Sequence, residues 1–211
     1  MIFPPGTYMI ASTLNPAGCK LRGYGATLKS VAAVVGFNML QATTDGFSVY
    51  GLTLDLNKAN TTDPATTANG LGIYVYRAAG GDCGDFTDVK VYNAWGAAVR
   101  IGSVVQTDSK FALNTRATIT NLTCDNVAYG VYINGGRDVS VIGGTFTNLH
   151  ECGVQDNSSL RTTVSGVVVD TAGGHGIISQ YGYGTRVTGN TCSNTGFAGI
   201  TFGGGSTVYP V

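Results

Sequence analysis

The chain contains two histidines, and each sits in a short string with the residue types for acid/base chemistry. Asn148-Leu149-His150-Glu151-Cys152-Gly153 is followed by Ala172-Gly173-Gly174-His175-Gly176-Ile177, so that Gly153 and Gly176 stand 23 residues apart. Stacking of equivalent positions would lay Glu151 on Gly174, next to His175, with carboxylate and imidazole about 5–7 Å apart. A nearby carboxylate raises a histidine's pKa, and burial raises the carboxylate's own. Such a pair suits general acid/base work on a glycosidic bond. Asp156 is the remaining acid candidate nearby. Its column of Ile133, Ser179 and Phe202 reads as inward, which also suits a turn carboxylate bonded to backbone or to Ser179.

Other residue types extend or limit this chemistry. Trp95, Tyr129, Tyr132, Tyr181 and Tyr183 are expected at the edges of repeats, where flat rings stack on sugar faces while hydroxyls bond outward. Trp95, Tyr129, Tyr181, Tyr183 and Arg161 are therefore the candidate carbohydrate-binding residues. Arg161 also fits a surface charge ladder with Arg137 and Asp138. Asp125, Asp138 and Asp170 are expected on different faces, which leaves no calcium cluster. The five cysteines show no CxxC and no zinc spacing. Cys124 and Cys192 share a column three turns apart, about 14 Å, beyond disulfide reach. All five read as buried free thiols. No metal and no cofactor are expected.

The elements that must position these residues repeat. Gly130, Gly153, Gly176 and Gly199 are evenly spaced, each followed by Val131, Val154, Ile177 or Ile200. Ile119, Val141, Val164 and Val187 form a second column, once a single-residue gap is placed in the first turn. Cys124, Phe146, Val169 and Cys192 form a third, and Asn126, Asn148, Thr171 and Asn194 a fourth. Self-similarity at such a period marks a solenoid. Apolar residues alternate with polar ones over four to six positions, which is strand periodicity. Glycine and asparagine punctuate each run, as turns with positive φ require. The predicted fold is all-β: a single-stranded, right-handed parallel β-helix with about 22–25 residues per turn.

The opening strings Phe3-Pro4-Pro5-Gly6-Thr7-Tyr8 and Leu21-Arg22-Gly23-Tyr24-Gly25-Ala26-Thr27-Leu28-Lys29 carry a resemblance. They are similar to the first turns of the pectate-lyase-like β-helix superfamily, which includes phage tailspikes, polysaccharide lyases, polygalacturonases and alginate epimerases. Gly51-Leu52-Thr53-Leu54-Asp55-Leu56-Asn57 matches a further turn of that pattern. The strings around Glu151 and His175 resemble the polygalacturonase arrangement of an acidic pair with Cys beside Gly-His-Gly. That resemblance implies acid/base roles for Glu151 and His175. The chain departs from it at His150, which replaces the first acid. It departs again at Asn126-Val127-Ala128 and at Gly199-Ile200-Thr201-Phe202, where the family's other motifs are missing. The alginate-epimerase string is absent at Trp95-Gly96-Ala97-Ala98-Val99-Arg100.

Composition excludes several classes. With 12 Lys+Arg against 12 Asp+Glu and only 11% charged residues, the chain lacks the basic stripe of a nucleic-acid binder. Its 43% hydrophobic content argues against disorder. No apolar run approaches the ~20 residues of a membrane span, so no membrane contact is expected. The start shows no basic n-region of a secretory signal, and an extracellular or virion location is expected. Residues 1–211 read as one β-helix domain without evident caps at either end, a fragment or module of a larger protein. A homotrimer or larger virion assembly would cover such ends. Two insertions, Lys58 to Asn69 and Ser103 to Asn114, are expected to wall one side of a groove. The expected partner is a polysaccharide. Two functions fit: a depolymerase, hydrolase or lyase, and a non-catalytic receptor-binding module of a phage spike, fibre or adhesin.

Overall fold

The computed structural model describes residues 1–63, 69–76, 81–102, 115–203 and 207–208. Within these, the chain winds through successive coils, and each coil crosses three faces. The first face carries Lys20–Arg22, Ser48–Tyr50, Gly81–Thr87, the start of Thr115–Asp125 and of Gly136–Leu149, then Thr163–Ser165 and Tyr183–Thr188. The second carries Ala26–Ser30, Thr53–Asp55, Lys90–Tyr92, the ends of the two long strands, then Val168–Ala172 and Thr191–Thr195. The third is a seven-stranded parallel sheet running from Leu40–Ala42 to Ile200–Gly203. The pairings are parallel throughout, so vertical neighbours come from successive coils. This is a right-handed parallel β-helix.

The corners follow from backbone stereochemistry. Between the first and second faces stand Gly51, Asp88, Asn121, Gly143, Gly166 and Gly189, all with φ between 53° and 68°. Between the second and third stand Asn57, Asn93, Asn126, Asn148, Thr171 and Asn194, with φ between 51° and 63°. Left-handed φ costs L-residues about 1–2 kcal/mol, least for Gly, Asn and Asp, which is why these types recur there. The expected asparagine column is thus two coils longer than its sequence spacing suggested. It is not a pure amide ladder: Asn126 donates to Asn93 at 2.9 Å, but Asn148 and Asn194 donate to Asp125 and Asp170.

The evenly spaced glycines have a different cause. A Cβ on Gly153 would lie 2.5 Å from the Gly176 carbonyl oxygen and from a Val169 methyl. Gly130 meets Gly153 and Phe146 in the same way. These positions let the third-face strand begin close against the next coil. The core is a stack of columns, among them Leu28, Leu54, Val91, Cys124, Phe146 and Val169, all buried.

Several sequence expectations need correction. Asp125 and Asp170 do not face different ways: they share one outward column with Thr147 between them. Of the cysteines, Cys124 and Cys152 are buried, but Cys19 is exposed and Cys192 only half-buried. The two insertions expected to wall a groove leave the coil at different points. The first leaves the coil after Asn57, before the third-face strand Ile73–Val75. The second leaves after Ala97–Gly102, at the far end of that face. Residues 64–68 of the first and all of the second, 103–114, lie outside the described residues.

Candidate functional site

Each coil turns from its second to its third face just after the left-handed asparagine column, and the chain's reactive residue types collect there. Asn57 is followed by Lys58, Asn93 by Trp95, Asn126 by Tyr129, Asn148 by His150 and Glu151, Thr171 by His175, and Asn194 by Phe197. The backbone ladder fixes the stacking: Gly174 N–H donates to the Glu151 carbonyl at 2.7 Å, and Phe197 N–H to Gly174 at 3.0 Å. One step along, Gly130 N–H donates to Cys152 and Gly153 N–H to His175. Glu151 therefore lies on Gly174, with His175 beside it, as the spacing predicts.

The side chains divide this corner into two clusters. In the upper one, Lys58 Nζ lies 2.8 Å from His150 Nε2 and 4.9 Å from the centre of the Trp95 ring. Trp95 Nε1 in turn donates to Thr61 Oγ1 at 3.1 Å. Burial pulls the Lys58 amine below its ordinary pKa, against the opposing pull of Asp63. In the lower cluster the His175 ring packs on Phe197, centroids 5.4 Å apart, while Phe197 is 71% exposed. Glu151 is exposed, and its carboxylate is felt by Tyr129. Burial first, then Glu151 and Cys152, push the Tyr129 hydroxyl to a pKa of about 12. Glu151 and His175 are adjacent, but their side chains are not hydrogen-bonded to one another.

Beside this corner the outer surface of the third face is aromatic. Tyr74, Arg100 and Tyr132 occupy one column, with the Arg100 guanidinium 4.7 Å over the Tyr132 ring. Tyr129 meets Tyr132 edge-on at 5.1 Å, and Tyr76 stacks on Tyr74. Arg100 and Tyr74 are 5% and 6% exposed, so this patch is packed as a second apolar cluster rather than laid open.

Four of the sequence-predicted residues thus come together: Trp95, Tyr129, Glu151 and His175. The others do not join them. Asp156 is 1% exposed and lies inside the coil, where Thr185 and Ser179 hydroxyls donate to its Oδ2 at 2.7 and 3.1 Å. Burial raises its pKa above the ordinary carboxyl value, and hydroxyls of Ser159, Thr185, Ser179 and Thr162 oppose that shift. From there the carboxylate reaches no ligand on the outer surface, and Asp156 does not join Glu151 and His175 as an acid/base group. Arg161, Tyr181 and Tyr183 stand at the other end of the third face, where the coil returns to the first. Arg161 is there bonded to Asp138. Lys58, Arg100 and Phe197 are the residues that spacing alone overlooked. Extending the asparagine column upward to Asn93 and Asn57 would have brought Lys58 onto the corner.

Among known proteins, a family profile described as "Right handed beta helix region" matches residues 68–210. No curated protein sequence matches the chain. Among solved structures, a double mutant of the periplasmic alginate epimerase AlgG aligns with TM-score 0.50 at 12% identity, covering 99% of this chain and 64% of its own. The Geobacillus virus E2 protein ORF18 aligns with TM-score 0.42 at 10% identity over 98% of this chain and 53% of its own. The enzymatically active domain of bacteriophage CBA120 tailspike protein 2 gives TM-score 0.43 at 14% identity, over 93% and 38%. The chain therefore spans less than two thirds of the length of these structures, and what it shares with the alginate epimerase is the fold. With the profile covering well over half of its length, the chain belongs to the right-handed β-helix family.

Proposed function

We propose that this β-helix engages a linear polysaccharide at the corner between its second and third faces and cleaves it there, with Glu151 as acid/base group and His175 beside it. One observation carries this proposal. Both histidines and the single tryptophan of a chain with only 11% charged residues gather on one corner, together with Lys58, Tyr129 and Glu151. The rings of Trp95, Tyr129 and Phe197 are stacking platforms spread over five coils, about 19 Å at the strand spacing. That is room for several sugar units.

Glu151 stands beside His175, whereas Asp63 acts on Lys58 in the upper cluster, and this separation bears on the reaction. Glycoside hydrolysis uses two carboxylates flanking the bond. Elimination needs one base for the proton beside a uronate carboxylate and one acid for the departing oxygen. Tyr129, protonated at neutral pH, fits the acid, and Glu151 or His175 the base. A second reading is favoured by the burial of Asp156 and by the missing side-chain bond between Glu151 and His175. In it the corner binds a glycan without cleaving it, as a receptor-binding module at a cell or virion surface would.

The test is turnover across neutral and acidic polysaccharides, read both as new reducing ends and as ultraviolet absorbance of an unsaturated product. Glu151→Gln is expected to lower the rate at least about 100-fold, the usual contribution of a general acid or base. Glycan binding with no turnover on any substrate would favour the second reading. Turnover untouched by Glu151→Gln removes the site.

A further inference from the structure

The first face carries a second constellation, on a different side of the coil from the corner just described. A column of Asp85, Thr118, Ser140, Thr163 and Arg186 runs straight down it, one residue per coil. Four steps at the strand spacing make it about 19 Å long. Two adjoining cavities follow this column and share Asp138. One, of about 320 Å³, is lined by Asp82, Asp85, Arg116 and Thr118 among others. The other, of about 380 Å³, is lined by Ser140, Arg161, Thr163, Gly184 and Arg186. Among the described residues no ring lines either cavity.

Charge is distributed unevenly between them. Asp138 is shared by three guanidinium groups: Arg161 forks it, and Arg116 and Arg137 approach at 3.6 and 3.7 Å. That leaves Arg186, in the same cavity, with no carboxylate partner among the described residues. The lower cavity is therefore a cationic pocket with a hydroxyl floor. In the upper one, Asp82 and Asp85 outnumber Arg116, and their carboxylates can only accept hydrogen bonds. Asp138 and Arg161 also hold φ of 53° and 58°, conformations that cost energy at non-glycine residues.

We propose that this groove is a second glycan-binding site, which takes an acidic oligosaccharide carrying one anionic unit next to neutral ones. The carboxylate or sulfate lies between Arg186 and Arg161, where a planar fork suits an oxyanion. Neutral hydroxyls donate to Asp85 and Asp82, and Ser140 and Thr163 bridge the two ends. A chain charged at every unit meets the acidic end and is repelled. A nucleic acid has no neutral units, and its bases find no aromatic side chain to stack on among the described lining residues.

The experiment is calorimetric titration of the full chain with three probes of equal length: a hyaluronan oligosaccharide, with alternating charge, an oligogalacturonate, charged throughout, and a neutral chito-oligosaccharide. The hyaluronan probe is expected to bind tightest. Arg186→Ala should weaken it at least about tenfold, the loss of one charge-assisted bond, and Arg186→Lys less. Asp138→Asn should strengthen it, because three guanidinium groups lose their internal anion; a purely structural ladder would leave binding unmoved. Trp95→Ala, at the other corner, should leave it within about twofold, since sites far apart act independently. Binding insensitive to Arg186→Ala, binding abolished by Trp95→Ala, equal binding of the neutral probe, or equal competition by a single-stranded oligonucleotide would each overturn the proposal. Failure of the cleavage assay leaves this result untouched, since the two are read by different variants.

Discussion

Gly153→Ala is the perturbation that most sharply separates a stacked coil from any other arrangement of these strands. The added methyl would meet the Gly176 carbonyl oxygen and a Val169 methyl at 2.5 Å, and a second Val169 methyl at 2.9 Å. The oxygen belongs to the backbone of the next coil and accepts the Val154 N–H at 3.0 Å, so it cannot retreat without breaking the ladder. Overpacking of a close-packed interior costs about 1–3 kcal/mol, and Gly→Ala returns about 0.4–1 kcal/mol through the unfolded chain. Backbone contact puts Gly153→Ala near the upper end, about 2 kcal/mol net, or a fall in melting temperature of about 4–8 °C for a chain of this size. Gly189→Ala is the control: nothing lies within 4 Å of its Cβ, and only its φ of +61° resists the change, at about 1 kcal/mol. Thermal melts followed by far-ultraviolet circular dichroism give both numbers. Gly153→Ala melting with wild type, or above Gly189→Ala, would refute the in-register stacking of these two coils.

Phe146→Ala, which empties a fully buried position in the central core column, should cost about 3–5 kcal/mol in denaturant unfolding. Asp156→Asn tests the buried hydroxyl cluster. The folded-state pKa of Asp156 is raised, so its contribution to stability is complete below the ordinary carboxyl value of 3.8 and is lost as pH rises through the elevated one. The gap in stability between wild type and Asp156→Asn should therefore move in favour of the variant on going from acid to neutral pH; a pH-independent gap would show that Asp156 titrates normally. Tyrosinate absorbance should show a late titration near 12 for Tyr129, which Glu151→Gln lowers. Lys58→Met should change the tautomer of His150, since the ammonium holds Nε2 as acceptor and leaves the proton on Nδ1; nitrogen NMR of the imidazole reads this directly.

The sequence was most informative where the period ran unbroken. From Arg116 onward, equal spacing put Gly153 against Gly176, Cys124 above Phe146 and Val169, and Asp156 in an inward column with Ile133 and Ser179, all as found. Register there is set by side chains that must alternate between core and solvent, and a one-residue slip would turn every apolar residue outward. Upstream, insertions break the period, so Asn57 and Asn93 were not joined to the asparagine column and Lys58 was not placed beside Trp95 and His150. The different faces expected for Asp125 and Asp170 failed for a related reason. Both precede a left-handed turn residue and point outward with Thr147 between them, a relation visible only once the coils are aligned at the corner. Burial of Arg100 was not legible at all. It sits at an outward strand position, with Tyr74 and Tyr132 of the neighbouring coils beside it.

With only two histidines in the chain, their imidazole nitrogen resonances report on the proposed corner with no other signal in the way. In an Arg186→Ala background, which removes the first-face groove, titration with a polysaccharide fragment that still binds calorimetrically should shift both His150 and His175, and adding Trp95→Ala should abolish the shifts together with the remaining binding heat. A fragment that binds the Arg186→Ala protein with full affinity while both imidazoles stay unmoved would place the glycan away from the corner and contradict the account.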